Sequence, residues 1–179
     1  MLRRDPLADP EALLRRVYSY VAYRIGPGPD AEDVTSETYA RALRVRESYD
    51  PSRGAPLSWL IGIARHCLAE TIAARPIATP ELPERADAGD LEERTLRRLA
   101  LAAAVTSLGE REQELIALRY GADLSARRIG EILGLRTNAV EVALHRALVR
   151  LRDRLEADQS LGASGKGSPL GGAIADDTV

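Results

Sequence analysis

The sequence predicts an all-α protein: two small helical domains joined by a flexible acidic linker, with a helix-turn-helix in the second. Aromatic residues make up only 4% of the chain and Phe is absent, so its cores must consist of Leu, Ile, Val and Ala, which favours helical bundles. Apolar residues recur at spacings of three and four over most of the chain, as in amphipathic helices. Residues 76–95 lack this periodicity and hold three prolines, six acids and two bases, a net charge of −4.

Bulk properties indicate an ordinary intracellular globular protein. The chain has 179 residues, a net charge of −2 and a single cysteine, which excludes an internal disulfide and fits a reducing compartment. No apolar run approaches the ~18 residues of a membrane span. We therefore predict a cytoplasmic protein with no membrane span.

The first predicted domain comprises residues 11–75 and follows an N-terminal arm of residues 1–10. Its first helix covers 11–25 and ends at the Gly-Pro-Gly-Pro segment. Asp30 is the predicted N-cap of a second helix over about 31–46. The apolar residues expected to face the core on this helix are Val34, Tyr39, Leu43 and Val45.

After a turn at 49–54, residues 56–74 form the third predicted helix of this domain, with Pro56 allowed at its start. The second predicted domain covers 96–156, with a break at 107–109, and residues 157–179 are expected to be a disordered tail because they are rich in Gly and Ser.

A helix-turn-helix is predicted within residues 124–155. Ser125 suits an N-cap, and Gly134 suits the helix end that requires positive φ. The following helix carries an apolar stripe that includes Val140, Leu144 and Leu148. Such a second helix enters the major groove of DNA, although a generic helical hairpin would show the same pattern.

Candidate contacts to DNA cluster at the two helix starts of this motif. Arg127 and Arg128 open the first helix, where phosphate contacts are expected. Side chains at the start of the second helix are suited to phosphate or to base edges in the major groove. They are Arg136, Thr137, Asn138 and Glu141, followed by His145 and Arg146.

A polar stripe on the second helix is a candidate docking surface. Its residues are spaced at i, i+3, i+4 and i+8 and therefore share one face. The acids suit an Arg-rich partner helix, whereas the alternative interpretation is a solvated face. The stripe consists of Asp33, Ser36, Glu37 and Arg41.

Three blocks in this order resemble a bacterial RNA polymerase sigma factor of the extracytoplasmic-function (ECF) type. They are DAEDVTSETYARAL (30–43), WLIGIARHCLAE (59–70) and the helix-turn-helix block at 107–155. The resemblance implies that the polar stripe binds the clamp helices of the largest polymerase subunit. It also implies contact with the polymerase flap, promoter DNA and an anti-sigma factor.

By the same resemblance, the middle block melts and reads the −10 promoter element, and the last domain reads −35. A loop from His66 to about Glu70 is expected to capture a base flipped out of the melted strand. Trp59 is expected mainly to anchor the core. The residues assigned to −10 DNA are Trp59, Arg65, His66, Glu70 and Arg75.

The chain departs from the family pattern at several contact positions. Ser36 replaces a frequent Gln, and His66 replaces a frequent Asn. Glu141, Val142 and Ala143 stand where basic or hydroxyl residues are common. We therefore expect weaker phosphate anchoring and a non-standard −35 sequence.

Other functions fit less well. A sigma-like interaction protein with weak DNA binding, acting on core polymerase or an anti-sigma factor, agrees with the sparse positive charge. A simple repressor would leave the middle block unexplained. Two His, one Cys and no Gly-rich phosphate loop provide no catalytic set, metal cluster or cofactor site, so no enzyme is predicted.

Overall fold

The computed structural model describes residues 5–74, 101 and 103–164, and the regular structure in these ranges is helical. This confirms the all-α prediction. The linker at 76–95 and the candidate Arg75 lie outside the described residues. The elements are α1 (Pro10–Ile25), α2 (Pro29–Arg44), a 3-10 turn (Arg46–Ser48), α3 (Pro56–Ala74), α4 (Glu110–Ile116), a π-helical turn (Ala117–Gly121), α5 (Ala126–Leu133) and α6 (Thr137–Ser164).

The start of α2 differs from the predicted one. The helix begins at Pro29 with Gly28 at the N-cap and no side-chain cap, so the assignment of Asp30 as the cap is wrong. Proline already has the φ angle of a first helical residue, which moves the start upstream. Asp30 instead lies in the first turn, where a carboxylate interacts favourably with the helix dipole.

The core face of α2 consists of small residues. Thr35 and Thr38 are buried, and their hydroxyls donate to the carbonyls of Ala31 and Val34. By contrast, Leu43 and Val45 are 50% and 44% exposed, so their predicted core positions are wrong. The helix ends at Arg44 and the following 3-10 turn breaks the helical periodicity before Val45. Leu43 lies within the helix but on the side opposite the buried Val34.

Helix α3 runs without interruption from Pro56 to Ala74, with the bounds the sequence predicts. Its buried residues include Leu60, Ile61 and Ala64, which contribute to the main core. The segment from His66 to Glu70 is therefore helical, so the expected loop is wrong, whereas the capture of a base by these residues stays a prediction. No proline interrupts the segment, and Cys67 and Leu68 are buried on its inner face.

Replacing Gly62 by Ala should stabilise the protein. Gly62 is exposed inside α3, and a Cβ there would meet no atom within 4 Å. Because Gly is less favourable than Ala in the interior of a helix, the free energy of unfolding of this variant should rise by about 1 kcal/mol. Urea denaturation measures the change, and an equal or lower stability would contradict an unstrained helical position.

The helix-turn-helix has the predicted geometry. The Ser125 side chain accepts a hydrogen bond from the Arg128 amide at 3.3 Å, and Gly134 ends α5 with φ of 67°. Inside α5, a Cβ at Gly130 would lie 2.6 Å from the Leu135 carbonyl oxygen, so the turn depends on this glycine. Helix α6 continues to Ser164, so the expected disorder is wrong for residues 157–164, which no proline interrupts, and residues 165–179 lie outside the described residues.

The two halves of the chain pack against each other. One hydrophobic cluster contains Val17, Tyr20 and Leu60 from the first half together with Leu118 and Ile129 from the second. The main contact pairs α1 with the π-helical turn and α4. Among the described helices, none has the length and hydropathy needed to cross a bilayer.

Candidate nucleic-acid interface and interdomain contact

The outward face of α6 is defined by the residues that α6 buries. Val140, Leu144 and Ala147 are at most 8% exposed and pack into the domain. Asn138 and Val142 lie on the opposite side of the helix, and both are exposed. The same face continues with the exposed residues His145, Arg146 and Val149.

A groove of about 520 Å³ runs between this face and α4. Its lining includes four arginines, of which only Arg136 and Arg146 were predicted from the sequence to contact DNA. Arg111 and Arg150 join them because α4 packs against α6. The apolar lining residues, called the floor below, are Leu115, Ala139, Val142 and Ala143. The lining residues are Arg111, Glu112, Leu115, Arg136, Asn138, Ala139, Val142, Ala143, Arg146 and Arg150.

Carboxylates compensate the groove charge only in part. Arg150 forms an ion pair with Glu112, whose side chain is 17% exposed. Within the described residues, Arg111, Arg136 and Arg146 form no ion pair. Glu141 is exposed on α6 next to this face and adds negative charge there. The groove is thus cationic with an apolar floor.

The two arginines at the start of α5 are already engaged within the protein. Arg127 and Arg128 bind Glu131 at 3.2 and 2.7 Å. The hydrogen bond from Arg128 is the main reason why the pKa of Glu131 lies below its usual value. Both arginines also line a polar cavity of about 460 Å³ together with Arg53 and other residues of the 49–55 loop of the first domain.

The polar stripe on α2 is connected to α3 through Arg41. Its guanidinium donates to Glu37 at 2.6 Å and to Glu70 at 2.7 and 3.0 Å. These hydrogen bonds lower the pKa of both glutamates. Asp33 and Ser36 are exposed on the same helix. Thus Glu37 and Glu70, assigned to different partners, belong to one ion-pair network.

Trp59 supports the loop that precedes α3. Its ring packs against Tyr49 with the ring centroids 5.6 Å apart. The Tyr49 hydroxyl donates to the Gly54 carbonyl at 2.9 Å and closes the loop. Trp59 is half-buried, which agrees with its expected role as an anchor. His66 is exposed on the middle of α3.

Glu114 joins the two domains. The carboxylate of this α4 residue accepts from the Tyr20 hydroxyl at 3.0 Å and pairs with Arg65 at 2.9 Å and with Arg24. The side chains of Glu114 and Arg24 are 13% and 10% exposed. Burial, followed by the Glu114 charge, raises the pKa of Tyr20, so the phenol stays protonated and donates. Arg65, a candidate for −10 DNA, is therefore held by the other domain.

Backbone contacts complete this interdomain surface. Arg16 donates to the Ala122 and Asp123 carbonyls at 2.8 and 2.7 Å. A Cβ on Gly121 would lie 2.8 Å from the Tyr20 Cα atom, which shows how closely the π-helical turn approaches α1. The sequence analysis did not predict this interdomain surface. The one feature in the sequence that indicated it was Gly121, a glycine at the end of an otherwise helical run.

Two profiles of known families match the chain in the order of its two domains. Residues 11–75 match Sigma-70 region 2, and residues 98–151 match Sigma-70, region 4. The first family segment contains α1 to α3, and the second contains the helix-turn-helix. These segments are called region 2 and region 4 below.

Similar proteins of known family agree with the region 2 and region 4 matches. The chain is 36% identical over 160 residues to the ECF RNA polymerase sigma factor SigD of Mycobacterium tuberculosis, covering 79% of this chain and 72% of SigD. It is 32% identical over 152 residues to the ECF RNA polymerase sigma factor BldN of Streptomyces coelicolor, covering 80% of this chain. The chain spans only 57% of the length of BldN.

Two solved structures share the fold. One is CnrH in complex with the cytosolic domain of CnrY, with a TM-score of 0.59, 24% identity and 82% of both chains covered. The other is the sigma factor RpoE with the anti-sigma factor NepR from Bartonella quintana. Its TM-score is 0.61 at 18% identity, covering 82% of this chain and 93% of that one. With region 2 and region 4 in sequence and relatives of this kind, the chain belongs to the ECF sigma factors of bacterial RNA polymerase.

Proposed function

We propose that this protein binds core RNA polymerase and directs promoter-specific initiation of transcription, reading −35 with α5 and α6 and melting and reading −10 with α3. The observation that carries the proposal is the cationic groove beside the outward face of α6, set in a region 4 that follows region 2 in family order. A helix with this face fits the major groove. Its place of action is the cytoplasm, where the polymerase transcribes.

Core binding is assigned to the α2 stripe, Asp33, Ser36, Glu37 and Arg41, acting on the clamp helices of the largest subunit. The Arg41 network holds Glu37 in a fixed position, so that its carboxylate is oriented before it meets an arginine of the partner. Ordering before binding reduces the entropy lost on association. Region 4 is assigned to the polymerase flap.

The −10 contacts are assigned to Trp59, Arg65, His66, Glu70 and Arg75. The exposed side of α3, rather than a loop at 66–70, would then face the melted strand. Opening needs no covalent chemistry, because a base that binds only when unstacked pulls the equilibrium toward the open strand. Arg65 can reach DNA only after its ion pair with Glu114 breaks.

Regulation by an anti-sigma factor is part of the proposal. The solved structures of CnrH and RpoE contain CnrY and NepR, respectively, and the name of the second states that NepR is an anti-sigma factor. In this chain a partner that stabilises the contact between region 2 and region 4 would keep Arg65 paired with Glu114. Such a partner would oppose −10 binding without covering the outward face of α6.

A second candidate function is an interaction protein that binds core polymerase or an inhibitor but binds DNA weakly. The specific observation that favours it is the composition of α6, where Glu141, Val142 and Ala143 are two apolar residues and one acid. The two candidates differ in whether specific transcripts form.

In vitro transcription tests the proposal. Purified chain and core polymerase are incubated with a promoter library, and run-off transcripts are sequenced. Specific start sites support a sigma factor. Core binding without transcripts supports the interaction protein, and no core binding rejects both.

The Glu37→Arg variant should bind core at least tenfold more weakly. It reverses the charge on the proposed docking face and removes one acceptor from Arg41. Fluorescence anisotropy of labelled protein titrated with core measures the affinity. Glu11→Arg, an equal charge reversal on the exposed start of α1, is the control. Unchanged affinity in Glu37→Arg would remove the α2 stripe from the interface.

A further inference from the structure

We infer that α6 recognises a thymine through its 5-methyl group, with Val142 as the determining residue, in place of the polar contacts expected at this part of a recognition helix. The inference rests on the proposed function, since it concerns how the −35 element is read. It is carried by the position of Val142, by its apolar neighbours and by the arginines around them.

Val142 occupies the centre of the outward face. Its relative exposure is 42%, although Val140 and Leu144 on the other side of the helix are buried. Asn138 and Arg146 lie four residues before and after it and are both exposed, so the three side chains form one row along the helix. A helix that inserts this face into the major groove brings Val142 to the base edges.

The neighbours of Val142 make the centre of the face apolar. Ala139 and Ala143 lie beside it in the groove and add two further methyl groups. None of these three side chains has a hydrogen-bond donor or acceptor. The polar side chains that border this apolar centre are Asn138 and Arg146 at the two ends of the row, with His145 and Glu141 beside it.

The surrounding charge indicates that the occupant is DNA and not an apolar protein segment. Arg111 and Arg136 border the apolar floor together with Arg146 and Arg150. Arginines at the rim suit phosphates on both sides of a groove, and the apolar centre then faces base edges. A protein partner with an apolar side chain would have to desolvate these cations without pairing them.

Thymine is the base that matches this centre. Its 5-methyl group is the one apolar feature that the major groove presents, whereas guanine, cytosine and adenine present donors or acceptors. Opposite Val142 those polar groups would lose water without gaining a partner. A thymine therefore binds most favourably there, and Asn138 in the same row suits a neighbouring adenine.

The experiment uses holoenzyme assembled from the full chain and core polymerase. A promoter library randomised across −35 is selected for binding, and the enriched sequence should contain a thymine required for affinity. Replacing that thymine by deoxyuridine removes only the methyl group. The dissociation constant should rise about fourfold, the effect of one buried methyl group. Deoxyuridine at thymines outside the element is the DNA control.

Variants then assign the methyl contact. In Val142→Ala, thymine and deoxyuridine should bind with nearly equal affinity, because the side chain that contacts the methyl group is shortened. Val45→Ala is the matched control, since Val45 is exposed to 44% just after the end of α2 and lies outside the outward face of α6. It should retain the fourfold difference. Arg146→Ala should weaken both DNAs equally and reduce the log–log salt slope by about one.

The outcomes separate the inference from the proposed function. If no −35 sequence is enriched, the proposed function fails and the inference fails with it. If a sequence is enriched but wild-type holoenzyme binds deoxyuridine as well as thymine, promoter recognition stands and the methyl contact is rejected. The methyl contact is also rejected if Val142→Ala still discriminates between the two bases.

Discussion

The Glu114→Ala variant should lose about 3 kcal/mol of unfolding free energy and should be less compact. Glu114 is the common acceptor of Tyr20, Arg24 and Arg65, and its removal leaves the Arg24 charge, only 10% exposed, without this partner. Removing one partner of a buried ion pair typically lowers the free energy of unfolding by about 3–5 kcal/mol. Because the three donors belong to region 2, the stability that is lost is that of the contact between the two regions.

Urea denaturation measures the stability of this variant, and small-angle X-ray scattering measures its radius of gyration. Glu110→Ala is the matched control, because it removes an exposed carboxylate from the first turn of the same helix. The control should change stability by less than about 1 kcal/mol and leave the scattering unchanged. Equal stability losses in the two variants would show that Glu114 does not hold the domains together.

The Gly121→Ala variant should force the two regions apart. The added Cβ would lie 2.8 Å from the Tyr20 Cα atom and 2.9 Å from the Ser19 carbonyl oxygen. Both are backbone atoms, so no side-chain rotation relieves the clash. Overpacking of this kind costs about 1–3 kcal/mol, and separation of the regions also breaks the Arg16 hydrogen bonds.

For Gly121→Ala the expected measurements are a larger radius of gyration and faster limited proteolysis than in the wild type. Gly62→Ala makes the same chemical change where the space is open, and it should show neither effect. If separation also frees Arg65, Gly121→Ala should bind −10 single-stranded DNA better than the wild type. A scattering profile identical to that of the wild type would mean that α1 and the π-helical turn shift without separating.

Local patterns predicted the elements well where the physical cause was local. The bounds of α3, the Ser125 cap and the positive φ of Gly134 all follow from residue type and spacing within one helix. The error at Val45 arises because apolar spacing was continued past the point where α2 stops. Leu43 lies inside α2 but on the side opposite Val34, so it faces away from the buried side of the helix. The expected loop at 66–70 was inferred from the family resemblance. The residues at these positions favour a helix and include no proline, so they continue α3.

The contact between the regions was not predictable from patterns of this kind. Glu114 and Arg24 are 90 residues apart in sequence, and their pairing depends on how two complete domains meet. A single acid or arginine in an amphipathic helix gives no sign of such a partner. The same applies to Arg111 and Arg150, which reach the groove only because α4 packs beside α6. The assignments of individual residues to polymerase and DNA remain predictions.

The aromatic pair of Tyr49 and Trp59 makes tryptophan fluorescence a direct measure of the state of region 2. The chain contains one tryptophan, so its fluorescence at long excitation wavelengths originates entirely from region 2. Because Trp59 packs against Tyr49, and Tyr49 closes the 49–55 loop, the emission spectrum depends on the state of that loop. The same loop borders Arg127 and Arg128 of region 4. Rearrangement of region 2 in the free protein can therefore be followed without a label by its tryptophan emission.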